Sequence, residues 1–427
     1  MKIYELNKLT SKKLNDLLKR PVAESLDTFD RVNSIIKKIK CGGLKEAINY
    51  ARDFDGLSTN KIFVEKMEFA DAEKHITAAE RRAFQTAFNN IYKFHLAQLP
   101  KELKISTMPG VTCIRKFKPI SDVGLYIPGG SAVLPSTVLM LGIPAKIAGC
   151  ERIVISTPVK GNEINPYILY AANLCGINEV IKIGGVQGIA LMAYGDKKFN
   201  KVNKIFGPGN KYVTLAKKIV NLDFEGASID MAAGPSEVLV IADEYANPCF
   251  VASDLLSQAE HGEESQVILV CLDRNFAKKV KVEIANQISL IERNEIAVKS
   301  LKNSRIFIVE NIQQAIEMSN IYAPEHLILN VKNYNNFIRQ IKNAGSVFLG
   351  EYSPESAGDY ASGTNHSLPT NGLAKTFGGV TVEMFMKSIS YQKLTRQGLK
   401  NISEAVVTLA NVEKLQAHAN AVKVRLK

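Results

Sequence analysis

Histidines mark the parts of this chain that could do chemistry, because there are only six of them and four follow residue 260. His261 follows Gln258 by three residues in SQAEHGEES, near the end of a predicted helix, so the two side chains share one face. An amide oxygen and an imidazole nitrogen arranged in this way could form half of a metal site. The exposed end of a surface helix explains the pair more simply, and the HExxH pattern of metalloproteases is absent.

A second candidate is the pair Glu325 and His326 in YAPEHLIL, where Pro324 fixes the backbone just before a predicted strand. A carboxylate beside an imidazole can transfer protons near neutral pH when the pKa values of the two groups are tuned. A charged turn explains the local sequence equally well. The other two late histidines each have a carboxylate a few residues before them. His366 comes seven residues after Asp359 in a polar segment, and His418 comes five residues after Glu413 on a predicted terminal helix.

Three glycine-containing loops could bind an anionic ligand: YIPGGSA from residue 126, GGVQG from residue 184 and GPGNKY from residue 207. The GxGxxG dinucleotide fingerprint is incomplete, since Tyr212 stands where its third glycine would be. Each loop follows a predicted strand and precedes a helix, where free N–H groups favour anions. Taken alone, each loop is explained by a simple turn between a strand and a helix. Three such loops at strand ends together predict one ligand that lies across the rim of a sheet.

From about residue 120 onward, predicted strands alternate with predicted helices, and these elements must position the residues named above. Nine short β-branched runs, from VGLYI at 123 to SVFL at 346, are separated by stretches long enough for crossover helices. This alternation predicts parallel sheets covered by helices, interrupted between about 221 and 235. Residues 1 to about 110 and 404–426 are predicted to be mostly helical. The segment after Gly350 is so rich in Ser, Gly, Pro and Asn that we expect no regular structure there.

Composition narrows the class of protein. A chain of 427 residues is too long for one ordinary core, and 46% hydrophobic residues exclude disorder. The net charge of +12 comes from scattered, mostly lysine pairs without long basic runs, so we expect no nucleic-acid partner. The six cysteines lack CxxC spacing, which fits a reducing compartment. We expect no signal peptide and no membrane span, and we expect a cytoplasmic location.

Taken together, the segments around these residues resemble the histidinol dehydrogenase family from about Phe117 to the carboxyl terminus. The first hundred residues are less distinctive but consistent with the family. The segments that carry the resemblance are long: DVGLYIPGGSA, GGVQGIA, IFGPGN, IDMAAGPSEVLVIAD, ASDLLSQAEHG, YAPEHLI and GSVFLGEYSPESAGDYASGTNH.

The resemblance implies an enzyme that oxidises L-histidinol to L-histidine in the last two steps of histidine biosynthesis, through a bound aldehyde. It implies one Zn²⁺ per subunit and two NAD⁺ consumed per turnover. The implied acid/base pair is Glu325 and His326. The implied zinc ligands are Gln258, His261, Asp359 and, from the partner subunit, His418. The implied substrate contacts are these ligands with Ser236, His326, His366 and Glu413, and the implied NAD contacts are Tyr126, Gln187 and Asn210.

For the fold, the resemblance implies an α/β protein with two Rossmann-like halves that lack a complete dinucleotide fingerprint, and a homodimer with a shared active site. The expected divisions are an N-terminal arm (1–22) at the dimer contact, a first α/β domain (23–122 and 236–375) with most zinc and catalytic residues, a second α/β domain (123–235) with the NAD loops, and a dimer-forming C-terminal tail (376–427).

Two other classes of function fit some of the same residues. A zinc hydrolase would use Glu325 to activate a metal-bound water and would bind no nucleotide. A nucleotide-binding module without activity would need neither Glu325 nor the metal ligands, and the presence of all of these residue types disfavours it.

Overall fold

The structure is a computed structural model that describes residues 1–21, 26–129, 133–232 and 234–427. The predicted boundary between residues 22 and 23 lies outside the described residues, as does the centre of the YIPGGSA loop. The α/β class and the parallel sheets predicted from the alternating pattern are confirmed.

Strands occupy short segments spread along the whole chain. They are β1 (Lys2–Glu5), β2 (Leu103–Met108), β3 (Val111–Pro119), β4 (Asp122–Tyr126), β5 (Arg152–Ser156), β6 (Glu179–Ile181), β7 (Lys204–Phe206), β8 (Ser228–Ile229), β9 (Glu237–Ala242), β10 (Gln266–Cys271), β11 (Arg305–Ile308), β12 (His326–Asn330), β13 (Ser346–Leu349) and β14 (Met386–Leu394).

Helices lie between most of these strands and also fill most of the first hundred residues. They are α1 (Ser11–Leu17), α2 (Leu26–Asp55), α3 (Lys66–Lys74), α4 (Ala78–Leu96), α5 (Pro135–Ala148), α6 (Pro166–Leu174), α7 (Gly185–Tyr194), α8 (Lys211–Leu222), α9 (Pro248–Ala259), α10 (Arg274–Ile288), α11 (Asn294–Lys302), α12 (Ile312–Tyr322), α13 (Glu355–Tyr360), α14 (Arg396–Val412) and α15 (Gln416–Leu426).

Two parallel sheets form the body of the described chain. The first has the order β6-β5-β4-β7-β8 and the second the order β1-β11-β10-β9-β12-β13. The central strands β9, β10 and β12 are buried along their whole length, which explains their nearly continuous runs of Val, Ile and Leu. All nine predicted strands are present, and helices lie between most of them, as the alternating pattern predicted.

A third sheet was not predicted. Its antiparallel strands β14 and β2 are largely exposed and β3 is mostly half-buried, so they lack the apolar runs that identified the others. Among the described residues no helix is both long and apolar enough to span a bilayer.

The helices of the first hundred residues pack mainly on the five-stranded sheet. Apolar side chains of α2 and α4, such as Ile39 and Ile91, belong to the same buried cluster as Leu125 and Val154. The expected grouping of residues 23–122 with 236–375 into one domain stays a prediction. The first strand, β1, instead extends the six-stranded sheet by pairing with β11. The C-terminal strand β14 pairs with β3 of the same chain.

The polar segment after Gly350 contains regular structure, contrary to the prediction. Helix α13 occupies six residues of it, starts after Pro354 and carries Asp359. A helix of this length is too short to show a period in the sequence, and its Ser, Gly and Asp content is typical of loops.

Candidate active site between the two sheets

Seven of the residues singled out from the sequence meet at a pocket between the two parallel-sheet units. Thr137, Gly207 and Met231 line it from the side of the five-stranded sheet. The opposite side comes from the six-stranded sheet and the segments after it. The predicted residues among its lining are Ser236, Gln258, His261, Glu325, His326, Asp359 and His366.

Gln258 and His261 come from the end of helix α9. Gln258 is buried in the last turn, whereas His261 follows the C-cap residue Glu260 and its N–H donates to the carbonyl of Gln258 at 3.3 Å. By accessible area His261 remains exposed, although the protein atoms crowded around its imidazole desolvate it enough to lower its pKa. The end of the helix therefore presents an amide and an imidazole to one pocket, as the spacing predicted.

The Gln258 amide can be placed in two orientations. In one, its nitrogen donates to the Glu355 carboxylate and its oxygen accepts from the N–H of Glu237 at 3.0 Å. In the other, its oxygen faces the Glu355 carboxylate, and two oxygens in such close contact need a proton or a cation between them. Glu355 was not predicted from the sequence, because nothing distinguished it within the polar segment.

Glu325 and His326 stand where β12 begins, and both are buried. The backbone of Glu237, the first residue of the neighbouring strand β9, binds both side chains. Its N–H donates to Glu325 Oε2 at 2.8 Å, and its carbonyl lies 3.1 Å from His326 Nδ1. His326 Nδ1 is therefore the donor nitrogen of the ring, and Nε2 is buried without a hydrogen-bond partner among the described residues.

The charges around this pair shift its pKa values. Burial raises the pKa of Glu325, while the neighbouring His326 opposes that shift. Burial alone would lower the pKa of His326, but the carboxylates of Glu355 and Glu325 raise it well above its usual value. Burial also raises the pKa of Glu355. The carboxylates thus favour a proton on the imidazole.

Asp359, on α13, lies close to His326, with Oδ1 3.5 Å from Nε2. Burial would raise its pKa, yet contact with His326 holds the pKa of Asp359 below its ordinary value. Ligand atoms of His261, Glu355 and Asp359 all lie within 4.8 Å of one another. Nitrogen and carboxylate donors at this separation are suited to a divalent metal ion.

His366 joins the two sides of the pocket. Its Nδ1 lies 2.9 Å from the carbonyl of Asp359, and its Nε2 lies 3.1 Å from the hydroxyl of Thr137 on α5. Burial lowers its pKa, so the neutral ring is favoured. Ser236 is half-buried at the pocket wall just before β9.

The three predicted NAD residues lie at the carboxyl ends of strands in the five-stranded sheet. Tyr126 ends β4, is buried, and its hydroxyl accepts from the N–H of Gly185 at 3.2 Å; burial raises its pKa to about 12. Gln187 is in the first turn of α7 and donates to Asp55 at 2.9 Å. Asn210 caps α8 by accepting from the backbone N–H groups of two α8 residues.

Glycine is required in the loop before Asn210. Gly207 has φ +121°, and a Cβ atom there would lie 2.2 Å from the carbonyl oxygen of Tyr126. The loop therefore runs directly against the end of β4. Asp55, which orients Gln187, was not predicted, because it lies at the end of a helix in the part of the chain that showed no candidate.

Glu413 and His418 are not brought to this pocket within the single chain. Glu413 is the C-cap of α14, His418 lies in α15, and both are exposed. Neither is among the described residues that line the pocket. Their predicted role depends on a second subunit.

Comparison with known proteins agrees with the resemblance of the motifs. A family model described as histidinol dehydrogenase matches residues 18–426. A histidinol dehydrogenase of Campylobacter jejuni (strain RM1221) is 50% identical over 427 residues, which covers 100% of this chain and 99% of the relative. One from Bacteroides fragilis (strain ATCC 25285) is 50% identical over 413 residues, 96% of each chain.

A solved structure is similar over the same extent. The crystal structure of histidinol dehydrogenase from Elizabethkingia anophelis has a TM-score of 0.96 and 47% sequence identity. The similarity covers 100% of this chain and 98% of that one. Both parallel sheets and the pocket between them therefore lie within the region of similarity.

Proposed function

The chain belongs to the histidinol dehydrogenase family, and from this premise we propose that it oxidises L-histidinol to L-histidine in two NAD⁺-dependent steps at a zinc site. It is an oxidoreductase of histidine biosynthesis by its family. The observation that carries the finer proposal is the meeting, in one pocket, of Glu325 and His326 with the buried donors around Asp359.

A zinc ion fits the donors that converge there. The oxygen of Gln258 facing Glu355, the imidazole of His261 and the carboxylate of Asp359 form a mixed nitrogen and oxygen set of the kind that zinc binds. We assign the ion to Gln258, His261 and Asp359, completed by His418 of a second subunit. When bound, zinc would supply Lewis acidity and hold the nitrogen atoms of the substrate.

NAD⁺ fits the rim formed by the glycine loops. The loop from Gly207 passes directly against the end of β4, and Asn210 stands at the start of α8, where the positive end of the helix dipole favours a phosphate. Tyr126, Gln187 and Asn210 would contact the cofactor. When bound, it would accept one hydride in each of the two oxidations.

In the first oxidation His326 is the base. Because Nδ1 is bonded to the Glu237 carbonyl, Nε2 is the nitrogen that takes the proton of the alcohol as the hydride leaves its carbon. His326 must be neutral to take this proton, and the nearby carboxylates then stabilise the resulting imidazolium. This step yields the aldehyde, two electrons being lost from the substrate as hydride.

In the second oxidation Glu325 activates water. Its burial raises the carboxyl pKa, which makes the carboxylate a stronger base toward a water molecule than an exposed glutamate. Attack of that water on the aldehyde gives a hydrate, whose second hydride is transferred while His326 again takes the hydroxyl proton. The product is the carboxylate of histidine.

Substrate contacts follow from the lining of the pocket. Ser236 and His366 lie at its wall, and the hydrogen bond of His366 to Thr137 fixes the ring that would face the substrate. Glu413 of a second subunit would complete the set, which makes the homodimer part of the proposal. We further expect the two parallel-sheet units to be Rossmann-like domains and the enzyme to be cytoplasmic.

The test is to mix the purified protein with L-histidinol and NAD⁺ and follow NADH, together with metal analysis. We expect two NADH per histidinol consumed, one zinc per subunit, and loss of turnover after chelation that added Zn²⁺ restores. A zinc-loaded protein that forms no NADH would refute the proposal and favour the hydrolase alternative.

A further inference from the structure

Arg20 binds the catalytic strands from outside the pocket. It lies at the end of the N-terminal segment, and its guanidinium donates from Nε to Glu237 Oε1 and from Nη2 to Glu237 Oε2, each at 2.8 Å. The Glu237 side chain is almost fully buried, with 1% of its area exposed, whereas Arg20 keeps 18%. This is a bidentate ion pair in which the buried carboxylate has a planar partner.

The same guanidinium reaches the neighbouring strand. Nη2 also donates to the carbonyl of Tyr322 at 2.8 Å, and the guanidinium stacks 3.9 Å from the centre of the Tyr322 ring. Tyr322 is followed by Ala323, a non-glycine residue with φ +54°, and then by the segment that leads into Glu325. Arg20 therefore joins the starts of β9 and β12, the two adjacent strands that carry the acid/base pair.

The contact matters because Glu237 is the residue whose backbone holds both catalytic side chains. Its N–H binds Glu325 Oε2, and its carbonyl binds His326 Nδ1. Its carboxylate additionally accepts from the N–H of Asn371 at 2.8 Å. A shift of Glu237 would change the direction of the Glu325 carboxylate and the proton position on His326 together.

We propose that Arg20 is a positioning residue for Glu325 and His326, acting through Glu237 and the start of β12. This inference rests on the roles proposed for Glu325 and His326. A lysine cannot replace the arginine here, because a single ammonium cannot bind both carboxylate oxygens in a plane and stack on Tyr322.

The first experiment measures kcat and KM for Arg20→Lys and Arg20→Ala, with Lys19→Ala as the matched control. Lys19 is the adjacent residue, and its side chain pairs with the exposed Asp16. We expect kcat to fall by roughly tenfold to a hundredfold in the Arg20 variants while KM for NAD⁺ stays within about twofold, since misplaced catalytic groups slow chemistry. Methylguanidinium should restore part of the kcat of Arg20→Ala, because the arginine is partly open to solvent, and leave Lys19→Ala unchanged.

The second experiment needs no turnover and separates this inference from the proposed function. In ¹⁵N-histidine-labelled protein, Arg20→Lys should shift the Nδ1 resonance of His326 and leave that of the distant, exposed His75 in place. If kcat of folded Arg20→Lys stays within about twofold of the wild type and the His326 resonance does not move, the positioning role is refuted. A wild type that forms no NADH would refute the proposed function, and the resonance alone would then decide the role of Arg20.

Discussion

At the scale of single residues, the site consists of side chains whose roles depend on a few backbone contacts. Glu325 and His326 are adjacent in sequence, so their pairing was visible without a structure. The backbone of Glu237, which fixes the donor nitrogen of His326, could not be predicted, because it comes from another strand. Glu355 was also missed, since its importance arises only from burial beside Gln258.

The division of labour between Glu325 and His326 predicts an unequal effect of Glu325→Gln. Glutamine keeps an oxygen that can accept from the Glu237 N–H, but it cannot deprotonate water. We expect oxidation of the aldehyde to slow by roughly a hundredfold or more, and oxidation of the alcohol much less. Single-turnover measurements that start from histidinol and from histidinaldehyde compare the two. Equal slowing of both steps would contradict the role given to Glu325.

Removal of a proposed metal ligand should be visible in the metal itself. His261→Asn replaces the imidazole by an amide that reaches less far, so zinc affinity and turnover should each fall by at least about tenfold. Metal content after dialysis against a buffered zinc series measures the affinity directly. As a control, His75→Asn changes an exposed histidine on another helix end and should leave zinc content unchanged. Normal zinc affinity in His261→Asn would rule out this ligand.

At the scale of elements, the nine predicted strands were found because buried parallel strands carry continuous apolar runs. The antiparallel strands β2, β3 and β14 were not predicted, since most of their residues are exposed or half-buried. Helix α13 was not predicted because six residues are too few to show a helical period. Helix α13, which brings Asp359 to the pocket, was therefore less predictable than the strands that support the pocket.

The loop from Gly207 to Asn210 is fixed by a buried ion pair between Lys217 on α8 and Asp230. Each of these two side chains is 2% exposed. Lys217 Nζ donates to the carbonyl of Gly207 at 2.7 Å, and the N–H of Gly207 donates to Asp230 Oδ2 at 2.8 Å. Both backbone groups of the glycine are thus held by the pair. The sequence did not single out either residue.

Lys217→Met should therefore affect both stability and the cofactor. It removes the partner of a buried carboxylate, which costs about 3–5 kcal/mol of unfolding free energy. We expect a lower Tm and a higher KM for NAD⁺, with KM for histidinol changed less. Denaturant unfolding and steady-state kinetics measure these effects. Lys40→Met, which removes a more exposed ion pair of the same unit, is the control. An unchanged KM for NAD⁺ in folded Lys217→Met would contradict the link between this loop and the cofactor.

At the scale of the whole molecule, length correctly suggested more than one core. The sequence could not show that helices α2 to α4 pack on the five-stranded sheet, because an apolar helix face does not specify its partner. It also could not show that the candidate site lies between the two parallel-sheet units. The terminal helices leave Leu409 and Val412 62% and 74% exposed, near the two predicted site residues that the single chain leaves outside the pocket.

A site shared between subunits predicts that two inactive variants can complement each other. Consider a dimer of one His418→Ala subunit and one Glu325→Gln subunit. The site of the first subunit has its own Glu325 and receives the intact His418 of the second, so it is complete. The other site lacks both residues. Random subunit exchange makes about half of the dimers mixed, so about a quarter of wild-type activity should return. The control is a mixture of Glu325→Gln and Asp359→Asn: both residues line the same pocket of one chain, so every site in the mixed dimer stays damaged. Exchange is confirmed by differently tagged subunits. If exchange is complete and the first mixture remains as inactive as the second, His418 acts within its own chain or outside the site.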